Sequence, residues 1–474
     1  MEQKTAIGVS EAANNKASAL AFSSPSGIEP IDKGACGTTD VEKLCIVQSN
    51  EHISGPEKGK DEKAVLEPHE LYHPDTGRKA WLCVFGAGCG IFCSFGYVNV
   101  IGVSEEYYIS HQLKDFTASQ VSWITSLETC LVVFFGVFVG RLYDIFGPKP
   151  LLIPGTIIMT LGIMMTSLCT DYYQFLLAQG VCTSIGAAMI FNPCISAVSS
   201  WFVKKRATAL GLVNAGSSLG GVLIPIIFRN VELKAGFGWG VRTVGLVLLF
   251  FSAISCVTVT SRIRQPGRQA INFKQTYIHP FKSLSFTLSA IGIALVYWGV
   301  FIPISFIPSN AVKHGFSPTL AFYLTSIQNA VSVVGRIAPG VLADKFGRFN
   351  IYIIGVYVTA IITVALWIPA TGHVPIILYA GLYGFFSGIA VTVWQPMIAE
   401  ISPIKEIGAR LGAVSAVQSF SSLFGSPAGG AIVTHNGGKY WGAAVFAAVT
   451  MFAGATVVQC ARMTITNGKL WVAK

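Results

Sequence analysis

Gly140-Arg-Leu-Tyr-Asp144-Ile-Phe-Gly147 returns as Gly340-Val-Leu-Ala-Asp344-Lys-Phe-Gly347. Two shorter pairs keep a similar offset: Leu210-Gly211 with Leu411-Gly412, and Asn192-Pro193 with Gln395-Pro396. All three offsets lie near 200 residues. The chain is therefore read as two parallel copies of one unit. Each eight-residue copy follows an apolar run, carries an Asp at its fifth position and ends on Phe-Gly, which reads as a helix closing into a tight turn.

The surroundings of the copies decide the class. The 474 residues are 52% hydrophobic and only 12% charged, with a mean hydropathy of +0.59. Soluble domains carry roughly 25% charged residues. A helix needs about 20 apolar residues to cross a bilayer. Twelve such segments are predicted: 81–103, 120–142, 150–168, 173–199, 208–229, 240–261, 283–307, 318–343, 350–369, 374–400, 409–433 and 441–461. The fold class is an all-α polytopic membrane protein with two six-helix pseudo-repeats. The expected division is a disordered cytoplasmic tail over 1–79, a first bundle over 80–261, a linker over 262–282, a second bundle over 283–462 and a short cytoplasmic tail over 463–474. The tail is rich in Ser, Gly, Pro, Glu and Lys and lacks the apolar surface that would offset its ordering entropy.

The net charge of +10 does not point to nucleic acid, because Lys and Arg lie between apolar runs. Fourteen fall in even-numbered connections, from Arg141 and Lys149 through Arg262, Arg264, Arg268, Lys274 and Lys282 to Lys405 and Arg410; six fall in odd-numbered ones or at their edges. The positive-inside rule then puts the even connections and both termini in the cytoplasm. Eleven cysteines include no CxxC pair, so neither a zinc site nor a disulfide framework is expected. Cys36 and Cys45 lie in the tail; Cys83, Cys89, Cys93, Cys130, Cys182, Cys194 and Cys256 read as small hydrophobes in apolar runs. No cleavable signal peptide, glycosylation sequon or phosphate-binding GxxxxGK[ST] loop is present. An enzyme, a cofactor, a metal site and ATP-driven transport are accordingly not expected.

The two quoted copies resemble the Gx3DxxG(R/K) motif of the major facilitator superfamily, whose fold has twelve transmembrane helices. The second continues Gly347-Arg348; the first reads Gly147-Pro148-Lys149, so only the following base remains. The resemblance implies that Asp144 and Asp344 each hydrogen-bond a helix N-terminus in the opposite half, where the dipole favours an anion. Gly140, Gly147, Gly340 and Gly347 would then allow close approach, and Lys149 and Arg348 would complete a cytoplasmic gate. A tight solvated turn is the simpler alternative. Trp201-Phe202-Val-Lys204-Lys205-Arg206-Ala-Thr-Ala209-Leu-Gly211-Leu-Val-Asn214-Ala215-Gly216-Ser217 resembles a stretch of the monocarboxylate-transporter family. Gly96-Tyr97-Val-Asn99-Val-Ile-Gly102, ahead of Tyr107-Tyr108, and Gly335-Arg336-Ile-Ala-Pro339-Gly340 resemble its fungal branch. Two departures matter. The helix 1 lysine of the animal lactate carriers is matched at about Ile101, and the aspartate one turn before their helix 8 arginine is matched by Ser332. Lactate–proton symport does not carry over.

Polar side chains in hydrocarbon normally face protein or water. Asn99, Glu128, Asn192, Asn214, Gln328, Asn329, Arg336, Gln395 and Gln418 fall in mid-span in helices 1, 2, 4, 5, 8, 10 and 11, whereas helices 3, 6, 9 and 12 carry none in mid-span. Thr325, Gln328, Asn329, Ser332 and Arg336 share one face of helix 8. A guanidinium holds a carboxylate bidentately, so Arg336 is the prime candidate for an organic anion. The alternatives are a structural pairing with Glu128 or a carbonyl, and snorkelling. A carboxyl in such a place favours its neutral form. Glu128, beside Thr125 and Thr129, is therefore the candidate for proton coupling, with a packing role as the alternative. The amides could equally glue helices together. Tyr97, Tyr297, Trp298 and Trp394 are candidate aromatic walls, while Trp81, Trp367 and Trp441 read as interface anchors.

These features imply a secondary carrier that moves a small, monocarboxylate-like organic anion or related metabolite by alternating access, a substrate and protons being its partners in the lipid bilayer. The alternative is efflux of an acidic secondary metabolite from a fungal biosynthetic gene cluster. A non-transporting nutrient sensor is the reading from another class, disfavoured by the brief segment after helix 12. A monomer in the plasma membrane is expected, with an organelle membrane as the alternative.

Overall fold

The computed structural model describes residues 77–99, 107–108, 111–262, 274–466 and 468. The polar stretch before residue 77, with Cys36 and Cys45, lies outside the described residues. So do Ile101, Gly102, Arg264, Arg268 and the last six residues. Within the described residues there are helices and no strand. Twelve long helical stretches run α1 Arg78–Val98; α2 Ala118–Phe134 continuing as Gly136–Phe146; α3 Lys149–Thr166; α4 Tyr172–Phe175, Leu176–Thr183 and Ser184–Trp201; α5 Arg206–Ala235; and α6 Phe237–Thr258. They continue with α7 Leu284–Lys313; α8 Pro318–Phe346; α9 Arg348–Ile362 with Thr363–Trp367; α10 His373–Glu400; α11 Ile407–His435; and α12 Trp441–Thr466.

Ten of the twelve are long and apolar enough to cross a membrane. The other two, α8 and α11, are as long but carry the densest polar faces, Gln328-Asn329-Ser332-Arg336 and Gln418-Ser419-Ser421-Ser422. Both pack between other helices, so their polar side chains are spared lipid. Several helices outrun the apolar segments that predicted them. α5 goes on to Ala235 through Arg229 and Glu232, which pair at 3.3 Å one turn apart. Arg141, Lys345, Arg206 and Arg410, read in sequence as loop charges, are helical. Two segments, Leu176–Thr183 in α4 and Thr363–Trp367 in α9, widen to π geometry.

α3, α6, α9 and α12 form the outer surface. Between 39% and 50% of the residues in their spans are buried, against 56–78% in α1, α2, α4, α5, α7 and α10. Their exposed apolar side chains repeat at helical spacing, as in Ile153-Ile157-Leu161-Met165 of α3 and Val445-Val449-Phe452 of α12. This is the face a lipid solvent requires.

The inner helices meet along two seams. α5 packs on α8, and α2 packs on α11. Small residues set the spacing. A Cβ on Gly340 would stand 2.6 Å from the Ala207 carbonyl oxygen, and one on Gly211 would stand 2.6 Å from that of Arg336. Gly140 and Gly408 oppose each other more closely still. Gly340→Val should therefore wedge α8 off α5. Overpacking costs about 1–3 kcal/mol, and the cost falls only on the conformation in which this seam is shut. Spin labels on the two helices should report a lengthened distance; an unchanged distance would mean the contact is not a tight one.

Candidate functional site

At the end of the bundle that carries the α2–α3 and α8–α9 connections, the two repeated aspartates cross between helices. Asp144 accepts from the backbone N–H of Gly408 at 3.0 Å and of Ala409 at 2.7 Å, the first turn of α11. Asp344 accepts from Ala207 N at 3.0 Å and from Thr208 N and Oγ1 at 2.7 and 2.8 Å, the first turn of α5. Those donors have no partner inside their own helices, and the helix dipole adds to their pull on a carboxylate. Gly147 and Gly347 close α2 and α8 with φ of +81° and +93°, a region open to glycine. The second copy is the fuller one. Arg348 pairs with Asp344 at 3.3 Å and Glu400 at 3.5 Å and donates to the Val203 carbonyl at 2.6 Å. In the first copy Pro148 stands in that place and Lys149 points outward, exposed. Arg206 adds a further tie, donating to the Ala399 carbonyl of α10 at 3.0 Å. The sequence offers Arg206 as a topology charge and as part of the Trp201–Ser217 resemblance, with no contact assigned to it; its place in a Lys-Lys-Arg run masks an inward-facing side chain.

Deeper along the α5–α8 seam lies Arg336, buried. Its Nη1 donates to the Asn214 carbonyl at 2.7 Å and to the Ser217 hydroxyl, and its Nε donates to the Ser332 hydroxyl at 3.2 Å. Around it, Asn214 Nδ2 donates to Gln395 Oε1 of α10 at 2.7 Å, and Asn99 Nδ2 of α1 donates to the Ser217 carbonyl at 3.1 Å. Ser218 and Ser332 hydroxyls meet at 3.3 Å. One network thus joins α1, α5, α8 and α10. Among the described residues no carboxylate pairs with Arg336, and the Glu128 alternative for its partner does not occur. Burying an unpaired charge is costly, and the Asn214 carbonyl and the Ser217 and Ser332 hydroxyls offset that cost by accepting from the guanidinium. The other alternative, a carbonyl, is what the guanidinium meets in this conformation.

Beside that network, Tyr297 of α7 places its hydroxyl next to Trp394 and Gln418, within the electrostatic reach of Arg336. That hydroxyl donates to the Val391 carbonyl at 3.4 Å. Trp394 Nε1 and Gln418 Oε1 are buried with no hydrogen-bond partner among the described residues. One donor and one acceptor without partners thus lie beside Tyr297, and buried polar atoms are rarely left so.

The remaining candidates fall elsewhere. Asn329 packs on Gly221 and bonds its own helix at Thr325. Gln328 is buried further along α8, against α10. Asn192 bonds the Ala188 carbonyl of its own helix and lies between Gly136 of α2 and Ser415 of α11. Tyr97 lies within electrostatic reach of Glu128, both in the first six helices. Glu128 accepts from Gln179 Nε2 at 2.8 Å. Neither Gln179 nor Ser217 stood out in the sequence, since each reads as one polar residue in a helix rich in small ones. An apolar groove between α9 and α12, lined by Ala360, Val364, Ala448 and Phe452, opens on the outer surface far from all of these.

The comparisons with known proteins agree with this architecture. The profile described as Major Facilitator Superfamily matches residues 81–371 and 289–467. "MFS transporter asaE" of Aspergillus flavus is 43% identical over 399 residues, 84% of this chain and 90% of that one. The "Fujikurins efflux protein" of Gibberella fujikuroi is 38% identical over 420 residues, covering 88% and 90%. "Aspyridones efflux protein apdF" of Emericella nidulans is 37% identical over 418 residues, covering 87% and 84%. Among solved structures, the transporter FucP in its outward conformation superposes with a TM-score of 0.63 at 14% identity, over 81% of this chain and 99% of that one. That likeness concerns the fold. The chain belongs to the major facilitator superfamily and is a multi-pass membrane transporter with twelve helices.

Proposed function

We propose that this transporter exports an organic acid of secondary metabolism by alternating access. The observation that carries the reading is Arg336: a buried guanidinium on the seam between the helix sets, ringed by neutral oxygens and lacking a carboxylate partner among the described residues. A permanent positive charge so placed favours an anionic ligand. The unused Trp394 donor and Gln418 acceptor favour a molecule with further polar groups, and the Tyr297 and Trp394 rings favour an apolar body larger than a short monocarboxylate. Relatives named for efflux of fujikurins and aspyridones support the outward direction.

In this reading the charge bias of the connections sets the aspartate end in the cytoplasm. Asp144 and Asp344 form the gate that is shut there, and substrate leaves on the other side. Residues 80–261 and 283–462 are the two rocking bodies of a plasma-membrane monomer, and Glu128 carries the coupled proton. Carriers built from two repeats bind near the midplane, where Arg336 would meet its ligand.

The test is transport by the full-length protein in liposomes with an imposed pH gradient. The labelled panel pairs short monocarboxylates, aromatic acids and larger acidic polyketides with their neutral amides. Larger acids should move, their amides should not, and Arg336→Ala should abolish movement. Amides moving as well as acids, with Arg336→Ala unimpaired, would refute the reading.

A further inference from the structure

Glu128 belongs to a second polar cluster, toward the end of the bundle opposite the aspartates. Gln179 Nε2 donates to Glu128 Oε2 at 2.8 Å, and the Tyr108 hydroxyl donates to Gln179 Oε1 at 2.7 Å. Each of the three residues is 1% exposed. The residues are 51 and 71 positions apart in sequence, on α2, on α4 and in the connection between α1 and α2. Gln179 reaches both partners from the π-helical stretch Leu176–Thr183. A wider turn shifts side-chain register, and one residue of register in an α-helix is roughly 100° of rotation. Ser184, just beyond, donates to the Gly180 and Glu128 carbonyls at 2.7 and 3.2 Å, holding α4 to α2 at this level.

The titratable surroundings of Glu128 are sparse. α1 contributes Tyr97, and the α1–α2 connection contributes Tyr108. On α2 itself Cys130 turns to Ser419 of α11. From α4, Cys182 bonds the Ile158 carbonyl of α3. α11 has no Asp, Glu, Lys, Arg or His between Arg410 and His435. Among the described residues, no base forms an ion pair with this carboxyl; the groups around it are neutral.

A primary amide between a carboxyl and a phenol can be satisfied in two ways. With Glu128 ionised, the amide N–H2 faces the carboxylate and the amide carbonyl accepts from Tyr108, the arrangement described above. With Glu128 protonated, its new O–H needs an acceptor, and the amide carbonyl is the one in place. Turning the carbonyl to Glu128 brings the N–H2 to Tyr108, whose oxygen then accepts. Amide N and O are nearly equal in shape, so the turn needs no repacking.

We infer that Glu128, Gln179 and Tyr108 form a proton-sensing relay, in which protonation of Glu128 turns the Gln179 amide over and reverses the hydrogen bond to Tyr108. One proton is taken from water and one O–H bond forms on Glu128. Tyr108 keeps its phenolic proton and only rotates it. The relay ends in a buried cluster: Tyr108 packs on Phe175 of α4 and Phe237 of α6, with ring centroids 4.4 and 5.9 Å away, together with Leu113. The relay deepens the reading of Glu128 as the proton site and takes from it only that residue's role.

The experiment is infrared difference spectroscopy of the full-length protein in liposomes, without substrate, titrated from about pH 4 to about pH 10 so that both carboxyl and phenol ranges are spanned. In the wild type a protonated-carboxyl band and a tyrosine C–O band should change together with one midpoint. Glu128→Gln should lose both changes. Gln179→Leu should keep the carboxyl change and lose the tyrosine response. Tyr108→Phe, the mildest variant, should lose the tyrosine change alone. A tyrosine response that survives Gln179→Leu, or a carboxyl band unaltered by Glu128→Gln, would overturn the relay. Since no substrate enters the measurement, failure to find a transported acid would leave its outcome standing.

Discussion

With Asp144 and Asp344 both replaced by alanine, the aspartate end of the transporter should stand open in most molecules. Each carboxylate accepts two backbone N–H groups at the first turn of α11 or α5. Hydrogen bonds to a charged group are worth about 1.5–3 kcal/mol each, net of water. Four of them would sum to about 6–12 kcal/mol if additive, and bonds that share one carboxylate fall short of additivity, which points to the lower part of that range. Turning a 99:1 preference into 1:99 takes about 5.5 kcal/mol. The single variants should differ. Asp344→Ala also removes the Thr208 hydroxyl's acceptor and leaves Arg348 with Glu400 as its remaining acidic partner, so it should open the seam further than Asp144→Ala. Spin labels on Lys149→Cys and Lys405→Cys, both exposed positions, would read the opening, with the exposed Cys460 and the tail residues Cys36 and Cys45 replaced beforehand. A long distance should dominate in the double variant and a short one in the wild type. The same short distance in both would mean the aspartates do not hold this end shut.

How much of this was legible beforehand follows from what kind of signal each feature leaves. The helices were written in apolar runs about 20 residues long, and the outer position of α3, α6, α9 and α12 was written in their lack of mid-span polar residues, because lipid tolerates few. The aspartate pair was written twice, 200 residues apart, and repetition is a signal that survives without any contact information. Helix ends were less legible. α5 and α7 run on into charged residues because the ladder of backbone hydrogen bonds continues as long as side chains reach water. Gln179 was invisible for another reason. It sits in Leu-Leu-Ala-Gln-Gly-Val, which reads as one more apolar run; its partners come from distant segments, and the π turn that carries it is announced by no periodicity. The same holds for Ser217, one of many small residues on α5, until Arg336 is seen to reach across to it. Arg336 was legible as a buried base but not in its partners. Helix 8 periodicity places it on a face with Ser332, which does bond it, whereas Asn214 and Ser217 belong to the other half of the chain.

Those partners set up the second large effect. Arg336→Ala should abolish transport of an acid, and Ser332→Asp should do nearly the same by adding a group instead of removing one. Truncating one member of a buried, hydrogen-bonded charge pair costs about 2–5 kcal/mol, roughly thirty-fold or more in affinity. Arg336→Ala removes the base outright. It also frees the Asn214 carbonyl and the Ser217 hydroxyl, so some loss of packing between α5 and α8 should accompany it. Ser332→Asp keeps the base and the helix. Position 332 is one turn before Arg336, and its hydroxyl already lies 3.2 Å from Nε, so a carboxylate there would take the guanidinium for itself. A ligand carboxylate would then have to displace an internal one that costs no association entropy. Affinity for the acid should fall with Ser332→Asp and hold with Ser332→Asn, which has the same shape and no charge. Acid binding at neutral pH for wild type and the three variants separates the possibilities. Loss in Arg336→Ala and Ser332→Asp with binding kept in Ser332→Asn would mean that the free charge of Arg336 binds the ligand carboxylate. Equal loss in Ser332→Asp and Ser332→Asn would mean that Arg336 serves the α5–α8 seam alone.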